Sequence, residues 1–88
     1  MRLRIKANSI AMQRYIEVDS GGIVFVETAF AGGKRRFQFR EVDLVLMSPD
    51  NHLSFQVGQE VFRIPVKPNN KKHQQVISAL IQEVSRAG

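Results

Sequence analysis

Apolar residues recur at every second position through most of residues 1–66, and the period becomes helical only after Pro68. Period-two alternation belongs to strands with one buried face, and a three-to-four residue period belongs to an amphipathic helix. The order of the two patterns therefore predicts antiparallel sheet first and one helix last.

The clearest strands lie in residues 42–66. Val42, Leu44 and Leu46 alternate with Asp43 and Val45, and Ser48-Pro49-Asp50-Asn51 follows as a turn with proline where a type I turn favours it. Leu53, Phe55 and Val57 then alternate with polar residues, Gly58-Gln59 suits a two-residue type II′ loop, and Phe62 and Ile64 continue the apolar face. These turns place Val57 opposite Glu60, Phe55 opposite Phe62 and Leu53 opposite Ile64. On the other side they place Leu46 opposite Leu53 and Leu44 opposite Phe55. A slip of one residue would turn a whole apolar face to water.

The earlier half alternates less cleanly. Ile16 and Val18 form one inward set, Ser20-Gly21-Gly22 is a turn signal, and Ile23-Val24-Phe25-Val26 is a continuous run that predicts cover on both sides over part of its length. Ala31-Gly32-Gly33 is the next turn, and Phe37 and Phe39 point inward. With a strand at residues 2–6, about seven strands are expected. After Pro68, Asn69 or Asn70 is a suitable N-cap. Val76, Ile77, Leu80, Ile81 and Val84 share one face of a helix over about 70–86. A helix of roughly sixteen residues is unstable alone and must dock on the sheet.

Seven antiparallel strands followed by a single amphipathic helix resemble the pleckstrin-homology-like domains, and the small bacterial members in particular. The residues that carry the resemblance are Phe37-Gln38-Phe39-Arg40-Glu41-Val42, Leu53-Ser54-Phe55, Phe62-Arg63-Ile64-Pro65 and the helix with Leu80 and Val84. The resemblance covers about residues 14–86. It implies one domain over 1–88, mainly β, a seven-stranded antiparallel barrel or two-sheet roll capped by one C-terminal α-helix. It also implies a binding role rather than a reaction. The family's phosphoinositide site needs basic residues around the first hairpin; here that turn, Asp19-Ser20-Gly21-Gly22, carries an acid and no base, so headgroup specificity is not implied.

Composition narrows the function classes. The chain has 88 residues and no cysteine, so neither disulfides nor a thiolate nucleophile are available. No apolar run approaches the ~18 residues that span a bilayer, and MRLRIKANS lacks the apolar stretch of a signal peptide. The expected location is the cytoplasm. His52 and His73 stand alone, without a second ligand at metal-binding spacing, and no carboxylate pair is placed for acid–base work. Neither an enzyme nor a cofactor is expected.

The charge does point somewhere. The net charge is +5 and the isoelectric point is about 10.3, which favours anionic partners. Lys34, Arg35 and Arg36 after Gly32-Gly33 suit a phosphate-holding turn, or else a solvated hairpin tip whose charges blunt an edge. Arg2, Arg4 and Lys6 form one stripe and Lys34, Arg36 and Arg40 another. A nucleic-acid surface usually interleaves such stripes with exposed aromatics, and only Tyr15 and Phe30 are candidates. The alternative function is thus charge-driven binding of nucleic acid or an anionic membrane. The leading expectation, implied by the resemblance, is a protein or peptide partner, or a second copy of the chain, taken in the groove between the C-terminal helix and a neighbouring edge strand near residues 42–47. There Val45 and Met47 are expected to point away from the core.

Overall fold

A two-residue turn at Gly58-Gln59 sets the register of the last hairpin. In the computed structural model, which describes residues 2–8, 13–27 and 33–87, Gly58 has φ of +60°. No positive φ occurs at Gln59, so the loop is of type II′. It pairs Val57 with Glu60, Phe55 with Phe62 and Leu53 with Ile64, as the alternation predicts. Asp19 and Gly22 close the first two-residue turn, in which the Asp19 carboxylate accepts a bond from the Gly21 N–H at 2.7 Å. Such Asx bonding is why aspartate starts turns.

Two antiparallel sheets result. β1 (Arg2–Asn8), β2 (Gln13–Asp19), β3 (Gly22–Glu27) and β4 (Lys34–Phe37) form one, in that order. β5 (Leu44–Met47), β6 (His52–Val57) and β7 (Glu60–Pro65) form the other. The sheets do not close into a barrel, so the two-sheet arrangement is the one that holds. Phe25 and Phe37 from the first sheet meet Phe55 and Phe62 from the second with ring centroids 5.1 to 5.9 Å apart, mostly edge-on or tilted. Ile5, Ile16, Val18, Ile23, Leu53 and Ile64 complete a core with almost no exposure.

The helix α1 (Lys71–Ala87) begins where the Asn70 side chain accepts from the His73 N–H at 3.2 Å. Val76, Ala79 and Leu80 are buried, while Ile77 and Val84 pack partly against the core. Ile81, expected inside, is exposed, and the smaller Ala79 takes the inward place. The helix rests mainly on β1, β2 and a short 3₁₀ turn at Phe39–Glu41. No helix among the described residues is long and apolar enough to cross a membrane.

Two expectations fail here for identifiable reasons. The strand expected through Phe39 stops at Phe37, and Phe39 reaches the core from the 3₁₀ turn. That turn is fixed by Glu41, whose carboxylate accepts from the Gln38 N–H at 2.6 Å. The second failure is the register of β5. Met47 pairs with Leu53 and Val45 with Phe55, one residue away from the expected Leu46–Leu53 and Leu44–Phe55 pairs. The Ser48 N–H bonds to the His52 carbonyl at 2.9 Å, leaving a three-residue loop, Pro49-Asp50-Asn51. Asn51 takes φ of +62°, the left-handed position that ends such loops and that asparagine tolerates. Val42 stays buried because the ladder is irregular at Asp43, so Val42 and Val45 both face inward across a break in alternation.

Candidate interaction surfaces

The register shift decides which side chains β5 offers. Val45 packs partly against the core and Met47, on the same face, is 40% exposed; neither points away from the core as expected. The outward residues are Leu44 at 45% and Leu46 at 54% exposure. Gln56 lies between Leu44 and Val61 in the ladder, and Ser54 lies between Leu46 and Arg63. Val61 is 59% exposed. Leu44 and Leu46 on one side and Val61 on the other therefore wall a shallow hollow of about 70 Å³ over Ser54 and Gln56.

β5 is also an edge, because β6 is its single hydrogen-bonded neighbour among the described residues. In antiparallel ladders bonded and non-bonded pairs alternate. The Ser48–His52 bond fixes that parity, so Leu44 and Leu46 bond to β6 while the N–H and C=O groups of Val45 and Met47 face the open edge. Residues 44–49 carry no charge, and the lysines or inward charges that usually blunt an edge are missing from β5.

A second, open cleft of about 720 Å³ runs between β1 and α1, lined by Leu3, Gln74, Gln75, Ser78 and Gln82 among others. It is the groove beside the helix that the resemblance implies, yet it borders β1 rather than β5. Its walls are mixed, with Leu3 and Ala79 set among amide and hydroxyl side chains and Lys71.

The basic candidates divide into three groups. Arg2, Arg4 and Lys6 project from β1, and Lys34 and Arg36 from β4, all on the outer face of the four-stranded sheet. The ladders place Arg4, Glu17, Val24 and Arg36 in one row, and Lys6, Tyr15, Val26 and Lys34 in the next. Arg35 alternates to the inner side, where it chelates Glu60 at 3.0 and 3.1 Å. Arg40, expected on the stripe with Arg36, sits instead on the 3₁₀ turn. Phe30 and residues 31–32 of the expected turn lie outside the described residues.

Acids on β2 hold part of the basic face. Glu17, 8% exposed, accepts from Arg4 at 2.7 Å and lies 3.8 Å from Arg2. Its hydrogen bond pushes the Arg4 pKa further up, against a smaller opposing effect of burial. Asp19 lies 4.0 Å from Arg36. The Arg4 guanidinium also covers the Tyr15 ring at 5.1 Å. Lys6 and Lys34 make no ion pair among the described residues.

The histidines serve the loops. His52 Nδ1 stands 3.3 Å from an Asp50 carboxylate oxygen. His73 Nδ1 accepts from the Lys67 N–H at 2.9 Å and links the β7 exit to the first helical turn. Among the described residues no group of three or more His, Asp or Glu side chains is placed to hold a metal ion. No protein-family model, curated protein or solved structure matches this chain.

Proposed function

We propose that this chain is a non-catalytic interaction module of pleckstrin-homology-like type, and that it takes an extended peptide segment of a protein partner along β5. The observation that supports this reading is one edge strand carrying both elements of β-augmentation. The backbone groups of Val45 and Met47 face outward, and Leu44, Leu46 and Val61 offer apolar anchorage beside them. Backbone bonding would supply affinity, and pockets for alternate side chains would supply selectivity.

The test is selection of a random twelve-residue peptide library on the folded chain, followed by hydrogen exchange. Selected peptides should slow exchange of the Val45 and Met47 amides. Leu46→Lys should weaken binding at least tenfold with the melting temperature almost unchanged, since Leu46 contributes little to the core. Peptides that bind but protect amides elsewhere, or that ignore Leu46→Lys, would refute the site.

A further inference from the structure

We infer that the outer face of the β1–β4 sheet docks on the phosphate backbone of duplex nucleic acid, without reading bases. The face lies on the sheet opposite to β5 and does not depend on the peptide site.

The distribution of charge on this face matters more than its total. Arg2, Arg4 and Lys6 line β1, and Lys34 and Arg36 line β4. Successive cations on a strand are about 6.8 Å apart, two residues at ~3.4 Å each. The two rows are separated by three strand spacings, about 14 Å. Between them lies a strip without cations: Tyr15, Glu17 and Asp19 on β2, Val24 and Val26 on β3. Five cations thus flank two carboxylates in a bank–trough–bank pattern. A duplex presents the complement, two lines of phosphates on either side of a groove. The major groove, about 12 Å wide, fits the row spacing better than the minor groove of about 6 Å.

Other anionic partners fit this pattern less well. A bilayer is a continuous negative plane and would press its headgroups onto Glu17 and Asp19. Lasting membrane attachment also takes a second, apolar signal, and the exposed large apolar side chains Leu44, Leu46, Met47, Val61 and Ile81 are on the other sheet and the helix. Single strands are held by stacking on exposed aromatics, but Tyr15 is half-buried beneath Arg4. An acidic peptide is one line of charge and would engage one row.

The experiment is fluorescence anisotropy of two labelled 20-base-pair DNA duplexes of unrelated sequence, titrated with the intact chain from 25 to 200 mM salt. Both should bind equally. The log–log salt slope should be no steeper than about −4.5, at 0.9 per cation for the five on this face. Reversing the two lysines that make no ion pair among the described residues, Lys6→Glu with Lys34→Glu together, should weaken binding at least tenfold and leave the melting temperature unchanged. Glu17→Gln, which releases Arg2 and Arg4, should tighten binding severalfold. Leu46→Ser on the other sheet should change nothing, which keeps this site separable from the peptide site. Absence of binding at 25 mM salt, or indifference to the lysine reversals, would overturn the inference. So would tighter binding to single-stranded DNA, or to phosphatidylserine vesicles, than to the duplexes.

Discussion

Arg35 on β4 and Glu60 on β7 clasp the two sheets together through paired N–H···O bonds of 3.1 and 3.0 Å. The same guanidinium lies 5.3 Å from the Phe37 ring centroid and 5.7 Å from that of Phe62. Two parallel bonds from a planar fork to a carboxylate are stronger and more directional than a single ammonium contact. Lying over two aromatic rings that pack on each other, the fork also fixes how the sheet corners meet.

Arg35→Gln should therefore lower the melting temperature, and Arg35→Lys should restore only part of the loss. The pair has a pH signature. The bond from Arg35 holds the Glu60 carboxyl below its ordinary value, with slight burial opposing and the Arg35 charge assisting. A depressed carboxyl leaves the unfolded chain to take up the proton first as pH falls. The stabilisation is thus complete above the ordinary glutamate pKa and disappears as pH drops through the folded one. Melting curves of wild type and Arg35→Gln should converge in acid; a gap constant from pH 7 to pH 3 would contradict this account.

Leu80 is fully buried where α1 meets the core. Leu80→Ala should cost about 2–5 kcal/mol, measured by urea denaturation, because lost transfer energy adds to the cavity left behind. For a domain of this size that is a large share of total stability. Ile81→Ala, one position along and exposed, should cost far less. Equal costs for the two would mean that the helix is rotated from the docking described above.

The β6–β7 hairpin was legible because its turn residue and its alternation agree: glycine at a positive-φ position and phenylalanine opposite phenylalanine. β5 was not, for a physical reason. Val42, Leu44 and Leu46 alternate perfectly, and so do Val45 and Met47, so pattern alone fits either face. The choice was made by Asn51 accepting a left-handed conformation and by the break at Asp43, both of which are tertiary outcomes. The basic stripes were legible strand by strand except at Arg40, which leaves β4 for the 3₁₀ turn, but their meeting on one face needed the order β1-β2-β3-β4. The same order places Glu17 among them. Arg35 read as one of a cationic run, although strand parity turns it inward from its neighbours.

Gly58 isolates a backbone effect. A Cβ at this position would meet nothing within 4 Å, so space is not at issue, but φ is +60°. Gly58→Val should destabilise by roughly 1 kcal/mol or more through conformation alone. Gly22 is the contrasting case: φ is +136° and a Cβ would come 2.2 Å from the Phe37 carbonyl oxygen. Gly22→Ala should cost more than Gly58→Ala, because backbone must also move. Chemical denaturation of both alanine variants reads the order directly, and the reverse order would place the strain wrongly.

His73 should give the domain a pH-dependent stability near neutrality. Its Nδ1 accepts the Lys67 N–H, so that nitrogen cannot carry a proton while the bond lasts. Half-burial, and secondly the Lys67 charge, hold its pKa below the ordinary histidine value. Lys6 and Lys67 are among the residues that line the cleft beside His73. A base with a depressed folded pKa leaves the unfolded chain holding more protons just below pH ~6.5. Stability is then full above that value and declines as pH falls through it, until the folded ring also protonates. His73→Gln keeps a group able to accept the Lys67 bond but removes the titration. Between about pH 7.5 and 5.5, where carboxylates stay charged, the melting temperature should fall more steeply for wild type than for this variant. Parallel slopes would mean that the link between β7 and the helix start does not depend on a neutral His73.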